Sequence, residues 1–277
     1  MNIIDTHQHL WDLQMFPYSW CAGAQALDRS FLLDEYIEAA AGTGIAKTVF
    51  VECDVDSPHS FGEAMHIQRL SEGNPLIGGI VASARPEQDD FEGQLDQLLK
   101  LPKLRGLRRV LHVVPDEISQ SGRFVDNIRR LGNHQLTFDV CVLARQLPLA
   151  TALVDKCPAT QFILDHCGVP DVNSGELKPW CSDLADLARR PNVVCKISGI
   201  AAQVDEAASI ETLRPWVEQV IASFGWDRVV WGGDWPVCTL KTTLGRWVGV
   251  TRELVRGATV EHQQKLFYLN AERIYRL

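Results

Sequence analysis

Two histidines one residue apart stand near the start of the chain, in Asp5-Thr6-His7-Gln8-His9. Side chains alternate across a strand, so His7 and His9 point to the same side behind the apolar pair Ile3-Ile4. Two imidazoles so placed can grip one divalent ion or one substrate oxygen. The second signal is Trp231-Gly232-Gly233-Asp234-Trp235-Pro236. Its glycines permit close approach and its proline sets a turn. Asp234 is then placed either to take a proton from water or to cap the next helix. The third is Phe162-Ile163-Leu164-Asp165-His166-Cys167-Gly168. Alternation puts His166 on the face of Leu164 and Phe162 and aims Asp165 at the surrounding helices. The plain alternative is a core histidine with a satisfied hydrogen bond.

Weaker candidates lie at the ends of other apolar runs. Glu52 follows Val49-Phe50-Val51, and a carboxylate there is costly to bury unless paired or liganding. Arg109 and His112 flank the end of Leu104–Val110. Lys196 lies inside Val193–Ile197 and needs a carboxylate partner or a substrate oxygen. Each reads equally as ion-pair structure. Asp54, Asp56 and His59 read as a solvated loop. The chain has no GxSxG elbow, Walker loop or HExxH helix.

The elements that must position these groups follow one repeated theme. Eight β-branched runs are centred near residues 4, 49, 79, 107, 138, 163, 195 and 230. Helix-like stretches lie between them, and further ones close the chain over 240–255 and 261–277. Strands alternating with helices predict an α/β fold, a parallel sheet closed into a (β/α)8 TIM barrel over residues 1–277 as one domain. In such barrels chemistry sits at the strands' C-terminal ends, where His7, His9, His166 and Asp234 fall. The open doubly wound sheet lacks its glycine fingerprint, since Gly42-Thr43-Gly44 precedes a strand and reads as a helix end. The long loop Leu10–Ser30, with Trp11, Phe16, Tyr18 and Trp20, reads either as a pocket wall or as a loop held by its own aromatic cluster.

Composition narrows the function. Of 277 residues, 46% are hydrophobic and 22% charged, ordinary globular usage. Lys+Arg number 27 against Asp+Glu 35, for a net charge of -8, so the footprint of a nucleic-acid or anionic-membrane binder is missing. No apolar run approaches the roughly 20 residues of a membrane span, and the first residues do not form a signal peptide. The eight cysteines contain no CxxC pair and read as free thiols in a reducing cytoplasm.

Five pieces together resemble the lactonase branch of the amidohydrolase superfamily, which includes L-fuconolactonase, L-rhamnonolactonase and 2-pyrone-4,6-dicarboxylate lactonase. They are DTHQHLW (5–11), LDHCG (164–168), NVVCKISG (192–199), WGGDWPV (231–237) and NAERIYRL (270–277). RRVLH (108–112) and the length are most similar to the sugar-lactonase members. The resemblance implies a distorted barrel with an additional C-terminal helix that hydrolyses a lactone resembling L-fuconolactone. Asp234 would act as general base and then acid, with His7, His9 and His166 stabilising the carbonyl oxygen. Arg109, His112, Lys196, Glu52 and Trp235 would bind substrate. It implies either no required cofactor or one divalent ion, zinc before others, on His7, His9 and Asp234. Strand five carries no histidine and strand four ends in arginine, against a two-metal centre. The expected partner is a small sugar lactone, with oligomeric state open. Dicarboxylate lactone hydrolysis, metal-dependent decarboxylation and sugar-acid binding without turnover are the competing readings.

Overall fold

A computed structural model of the chain describes residues 1–204 and 210–277. Eight parallel strands form one sheet in the order of the sequence. They are β1 (Ile3–Gln8), β2 (Ile45–Val51), β3 (Ile77–Ser83), β4 (Leu104–Val110), β5 (Thr137–Cys141), β6 (Gln161–Leu164), β7 (Val193–Ile197) and β8 (Val229–Trp231). The main helices between them are α1 (Leu33–Ala40), α2 (Ser60–Gly73), α3 (Phe91–Leu98), α4 (Gly122–Asn133), α5 (Leu147–Lys156), α6 (Trp180–Ala188) and α7 (Ile210–Phe224). After β8 come α8 (Leu244–Leu254), α9 (Val260–Gln264), a π-helical turn over Lys265–Leu269, and α10 (Asn270–Tyr275). The architecture is the expected (β/α)8 barrel with added C-terminal helices. The expected single helix over 261–277 is broken by the π turn.

Local chemistry explains the boundaries. Ser121, Thr243 and Thr259 cap α4, α8 and α9, each side chain accepting a hydrogen bond from the backbone N–H three residues on. Among the described residues, no helix is long and apolar enough to cross a membrane. All eight cysteines are free, and only Cys181 is more than slightly exposed.

The sheet closes at the seam between its first and last strands. The seam is short: Gln8 bridges Trp235 in parallel, the His9 N–H donates to the Trp235 carbonyl at 2.9 Å, and the Asp234 N–H donates to the His7 carbonyl at 2.8 Å. Between Asp5 and Gln8, β1 advances three residues while β2 advances two, from Thr48 to Phe50. This β-bulge shifts the alternation by one. Ile4 and His7 therefore both enter the barrel although three residues apart. The barrel floor is apolar, formed by Ile4, Val49, Val81, Ile163, Val194 and Val230 and closed from below by Ile274 and Tyr275 of α10. Above it the interior becomes ionised.

The long loop after β1 is held by its own rings. Trp11 packs on Trp20 and Phe31 at 5.4 and 4.9 Å between centroids, and its indole N–H donates to the Arg29 carbonyl at 2.7 Å. Tyr18 reaches under the loop and donates to Glu63 Oε1 of α2 at 3.0 Å. Glu63 is buried, and burial, with Glu52 nearby, pushes its carboxyl up to about 8. An unfolded glutamate loses its proton near its ordinary value of 4.5, whereas the folded chain keeps it to about 8. Stability therefore falls as pH rises through that window and levels off above it. In Glu63→Gln the fall of urea midpoints between pH 5 and 8.5 should become clearly shallower. An unchanged slope would place the effect elsewhere.

Candidate active site

Six charged or titratable side chains converge where the strands end. Lys196 of β7 is fully buried. Its ammonium lies 2.7 Å from Asp139 Oδ2 of β5, 2.8 Å from Asp165 Oδ1 after β6 and 3.0 Å from His7 Nδ1 of β1. Arg108 of β4 is in register with Asp139. Its Nε donates to Glu52 Oε1 at 2.7 Å, and its Nη1 lies 3.5 Å from Asp165 Oδ2. His7 thus rests on a buried ionic network that ties β2, β4, β5, β6 and β7 together.

Asp234 hangs over this network on the loop after β8. Its φ is +56°, a region Asp and Asn tolerate better than most residues. A Cβ on Gly232 would lie 2.7 Å from the His7 Cβ, so only glycine lets the loop press this closely on β1. Asp234 Oδ1 lies 3.8 Å from His7 Nε2 and 3.6 Å from His9 Nε2. The two imidazole nitrogens are 3.1 Å apart. Asp5 braces the seam from outside: its Oδ1 accepts the His7 and Gly233 N–H groups at 2.9 and 2.7 Å, and its Oδ2 accepts the Tyr36 hydroxyl of α1 at 2.8 Å.

His166 completes the site in an unexpected way. The sequence pattern aims Asp165 at the helices, but β6 ends at Leu164, and His166 and Cys167 take positive φ values of 52° and 58°. The reversal brings Asp165 and His166 to the same interior. His166 Nδ1 sits 2.9 Å from Ser198 Oγ. A Cβ on Gly199 would come within 2.4 Å of that nitrogen.

Burial and neighbours set the charge states. Burial, reinforced by the Lys196 charge, holds His7 well below its ordinary value. Burial also lowers His166. It works to raise Asp165, but the Lys196 ammonium overrides it and holds this carboxyl well below its usual range. Asp139 goes the other way: burial outweighs Lys196 and pushes it up to about 7.

The expected site residues fall into groups. His7, His9, His166, Asp234 and Lys196 are together, with Glu52 joined through Arg108. Glu52 and Lys196 are wholly buried in these pairs. His112 is half-buried at the mouth, its Nδ1 3.6 Å from Cys141 Sγ. Arg109 lies on the opposite face of β4 from Arg108, its Nε and Nη2 on Glu87 Oε1 at 3.0 and 2.9 Å. Trp235 is packed between Phe31 and Tyr36. Arg108, Asp139 and Ser198 were not singled out in the sequence. Asp139 could have been, since a carboxylate between Phe138 and Val140 demands a buried partner as Lys196 does.

A model of the amidohydrolase family matches residues 4–277. The chain belongs to this family. This amidohydrolase is 28% identical over 246 residues to an L-fucono-1,5-lactonase of Burkholderia ambifaria, covering 87% of the chain and 83% of that protein. It is 30% identical over 247 residues to a 2-pyrone-4,6-dicarboxylate hydrolase of Comamonas testosteroni, covering 84% and 76%. A crystal structure of an amidohydrolase from Burkholderia multivorans with bound zinc superposes with a TM-score of 0.90 at 24% identity, over the full length of both chains. That likeness establishes the fold.

Proposed function

We propose that this amidohydrolase, acting as one barrel unit over residues 1–277, hydrolyses a neutral, polyhydroxylated lactone of the L-fuconolactone kind to its hydroxy acid. The observation that carries the reading is the approach of His7 and His9 to Asp234 Oδ1 at the C-terminal mouth of the barrel. Water held by Asp234 attacks the lactone carbonyl as the carboxylate takes its proton. The tetrahedral intermediate collapses, the ring C–O bond breaks, and the same proton goes to the departing alkoxide. The histidines face the carbonyl oxygen as it gains negative charge. His112 and His166, both part-exposed at the mouth, face the substrate hydroxyls.

Charge supports a neutral substrate over a dicarboxylate. The four cations at the strand ends, Arg85, Arg108, Arg109 and Lys196, are each paired with a carboxylate: Asp54, Glu52, Glu87 and Asp139 respectively. A substrate carboxylate would meet only cations that already carry a carboxylate partner.

The relatives raise the question of a metal ion. The spacing of His7, His9 and Asp234 suits one ion, but the hydrogen bonding of His7 does not: the Lys196 ammonium faces its Nδ1 at 3.0 Å, which leaves the imidazole proton on Nε2, the atom that would ligate. A donor set built on His7 does not fit, and the reaction is written on the protein's own groups.

The test is indicator-detected proton release from a panel of five- and six-membered aldonolactones and a pyrone dicarboxylate, before and after chelation. Fast release from one stereochemical group of neutral lactones, unchanged by chelator, is expected. Turnover of the dicarboxylate alone, or silence across the panel with folded protein, would overturn the reading.

A further inference from the structure

We propose that Lys196 is a positioning residue that fixes His7 as the Nε2–H tautomer, so that His7 offers the site a hydrogen-bond donor instead of a metal-binding lone pair. The proposal deepens the functional reading above and shares its site, but it stands on contacts that do not depend on the substrate.

An ammonium carries three N–H donors and no acceptor. Lys196 donates to Asp139 Oδ2 at 2.7 Å and faces His7 Nδ1 at 3.0 Å, while Asp165 Oδ1 at 2.8 Å is a charge partner outside hydrogen-bond geometry. Toward His7 Nδ1 the ammonium can only donate. His7 Nδ1 must therefore present its lone pair, and a neutral imidazole then carries its proton on Nε2.

His9 Nδ1 lies 2.8 Å from the Val51 carbonyl oxygen. A carbonyl only accepts, so His9 Nδ1 carries hydrogen and the Nε2 of its neutral ring is a lone pair. That lone pair faces His7 Nε2 at 3.1 Å. Two lone pairs do not face each other at this distance; a proton on His7 Nε2 resolves the contact. Were His9 to carry the proton at Nε2, His7 would accept at both nitrogens and hold none, an imidazolate. The competing contacts are longer. Asp165 Oδ1, which would take an Nδ1–H, is 3.5 Å away. Arg108 Nη1, which would donate to Nε2, is at 3.4 Å, longer than the 3.0 Å from Lys196 to Nδ1, and its charge also faces Asp165 Oδ2 at 3.5 Å without a hydrogen bond.

The result is an ordered chain: the Lys196 ammonium donates to His7 Nδ1, His7 Nε2–H points to His9 Nε2, and His9 Nδ1–H donates to the Val51 carbonyl. With substrate present, the His7 N–H is free to turn its bond toward an oxygen placed between His7, His9 and Asp234. Lys196 never touches the substrate and acts through His7. It also occupies, with a fixed cation, the side of His7 where a metal-binding histidine needs an acceptor for its other N–H.

The test is nitrogen-15 NMR of the purified full chain labelled at histidine, with the His7 signals assigned by their loss in His7→Gln. A protonated Nε2 and an unprotonated Nδ1 are expected. A protonated Nδ1 would overturn the proposal. In Lys196→Met, His7 should switch to the Nδ1–H form facing Asp165, and cobalt(II) affinity should rise about tenfold, the low end of what an outer-shell partner changes. An unchanged tautomer in a folded Lys196→Met would also overturn it; if that variant fails to fold, the wild-type spectrum decides alone. The expected tautomer without lactone turnover would sink the functional reading and leave the role of Lys196 standing. Turnover with an Nδ1–H His7 would do the reverse.

Discussion

Asp234→Asn is expected to lower kcat by about 10²- to 10⁴-fold, the usual contribution of a positioned acid–base group, with little change in KM or in melting temperature. The substitution is chosen for the backbone. Position 234 sits at a φ of +56°, which asparagine tolerates and alanine does not. The backbone N–H that joins Asp234 to the His7 carbonyl at 2.8 Å is untouched. On the proposed mechanism, what disappears is the ability to take a proton from water and return it to the ring oxygen. Steady-state kinetics on the best lactone of the panel, with circular dichroism as the control, checks this. A variant with near wild-type kcat would remove Asp234 from the chemistry and shift attention to His9.

Arg108→Met is expected to cost about 3–5 kcal/mol of folding stability, because it strands a buried carboxylate. Arg108 meets Glu52 through Nε at 2.7 Å, and its Nη2 also donates to the Glu52 backbone carbonyl at 2.5 Å. Both side chains are buried. Removing the guanidinium leaves Glu52 charged in a dry interior with only the Asp54 N–H, at 2.7 Å, to satisfy it. The double variant Arg108→Met/Glu52→Gln should recover most of the loss, since the cost lies in the uncompensated charge more than in the missing bond. Urea denaturation of the three variants measures it. A single variant within about 1 kcal/mol of wild type would show that the cavity rehydrates and that the pair is not a buried one in the sense used here. By contrast, Arg129→Ala, which breaks an exposed pair with Asp126, should leave the midpoint where it is.

The barrel was legible because its strands are short β-branched runs separated by helical patterns of ordinary length. Periodicity found all eight, most to within one or two residues. His7, His9 and Asp234 were legible for a related reason: polar residues at the ends of apolar runs are costly unless they do something. What escaped was parity. Nothing in Arg108-Arg109 says which arginine faces inward; that depends on the register with Asp139 across β4 and β5. Asp165 was aimed outward because alternation was carried past Leu164, where the chain turns through two left-handed residues. The bulge in β1 likewise has no signature in Ile3-Ile4-Asp5-Thr6-His7. It exists only as a mismatch with the neighbouring strand.

The seam between β1 and β8 has a consequence for the order in which the enzyme comes into being. The two histidines are residues 7 and 9, and the carboxylate proposed to work with them is residue 234. All of β2 to β7 lie in the chain between the first strand and its last neighbour. A chain ending short of β8 would contain Lys196, Asp139 and His7 but lack the carboxylate assigned the proposed role of base. On the proposed mechanism, the base joins the histidines only where the last strand meets the first, so activity would report that the barrel has closed.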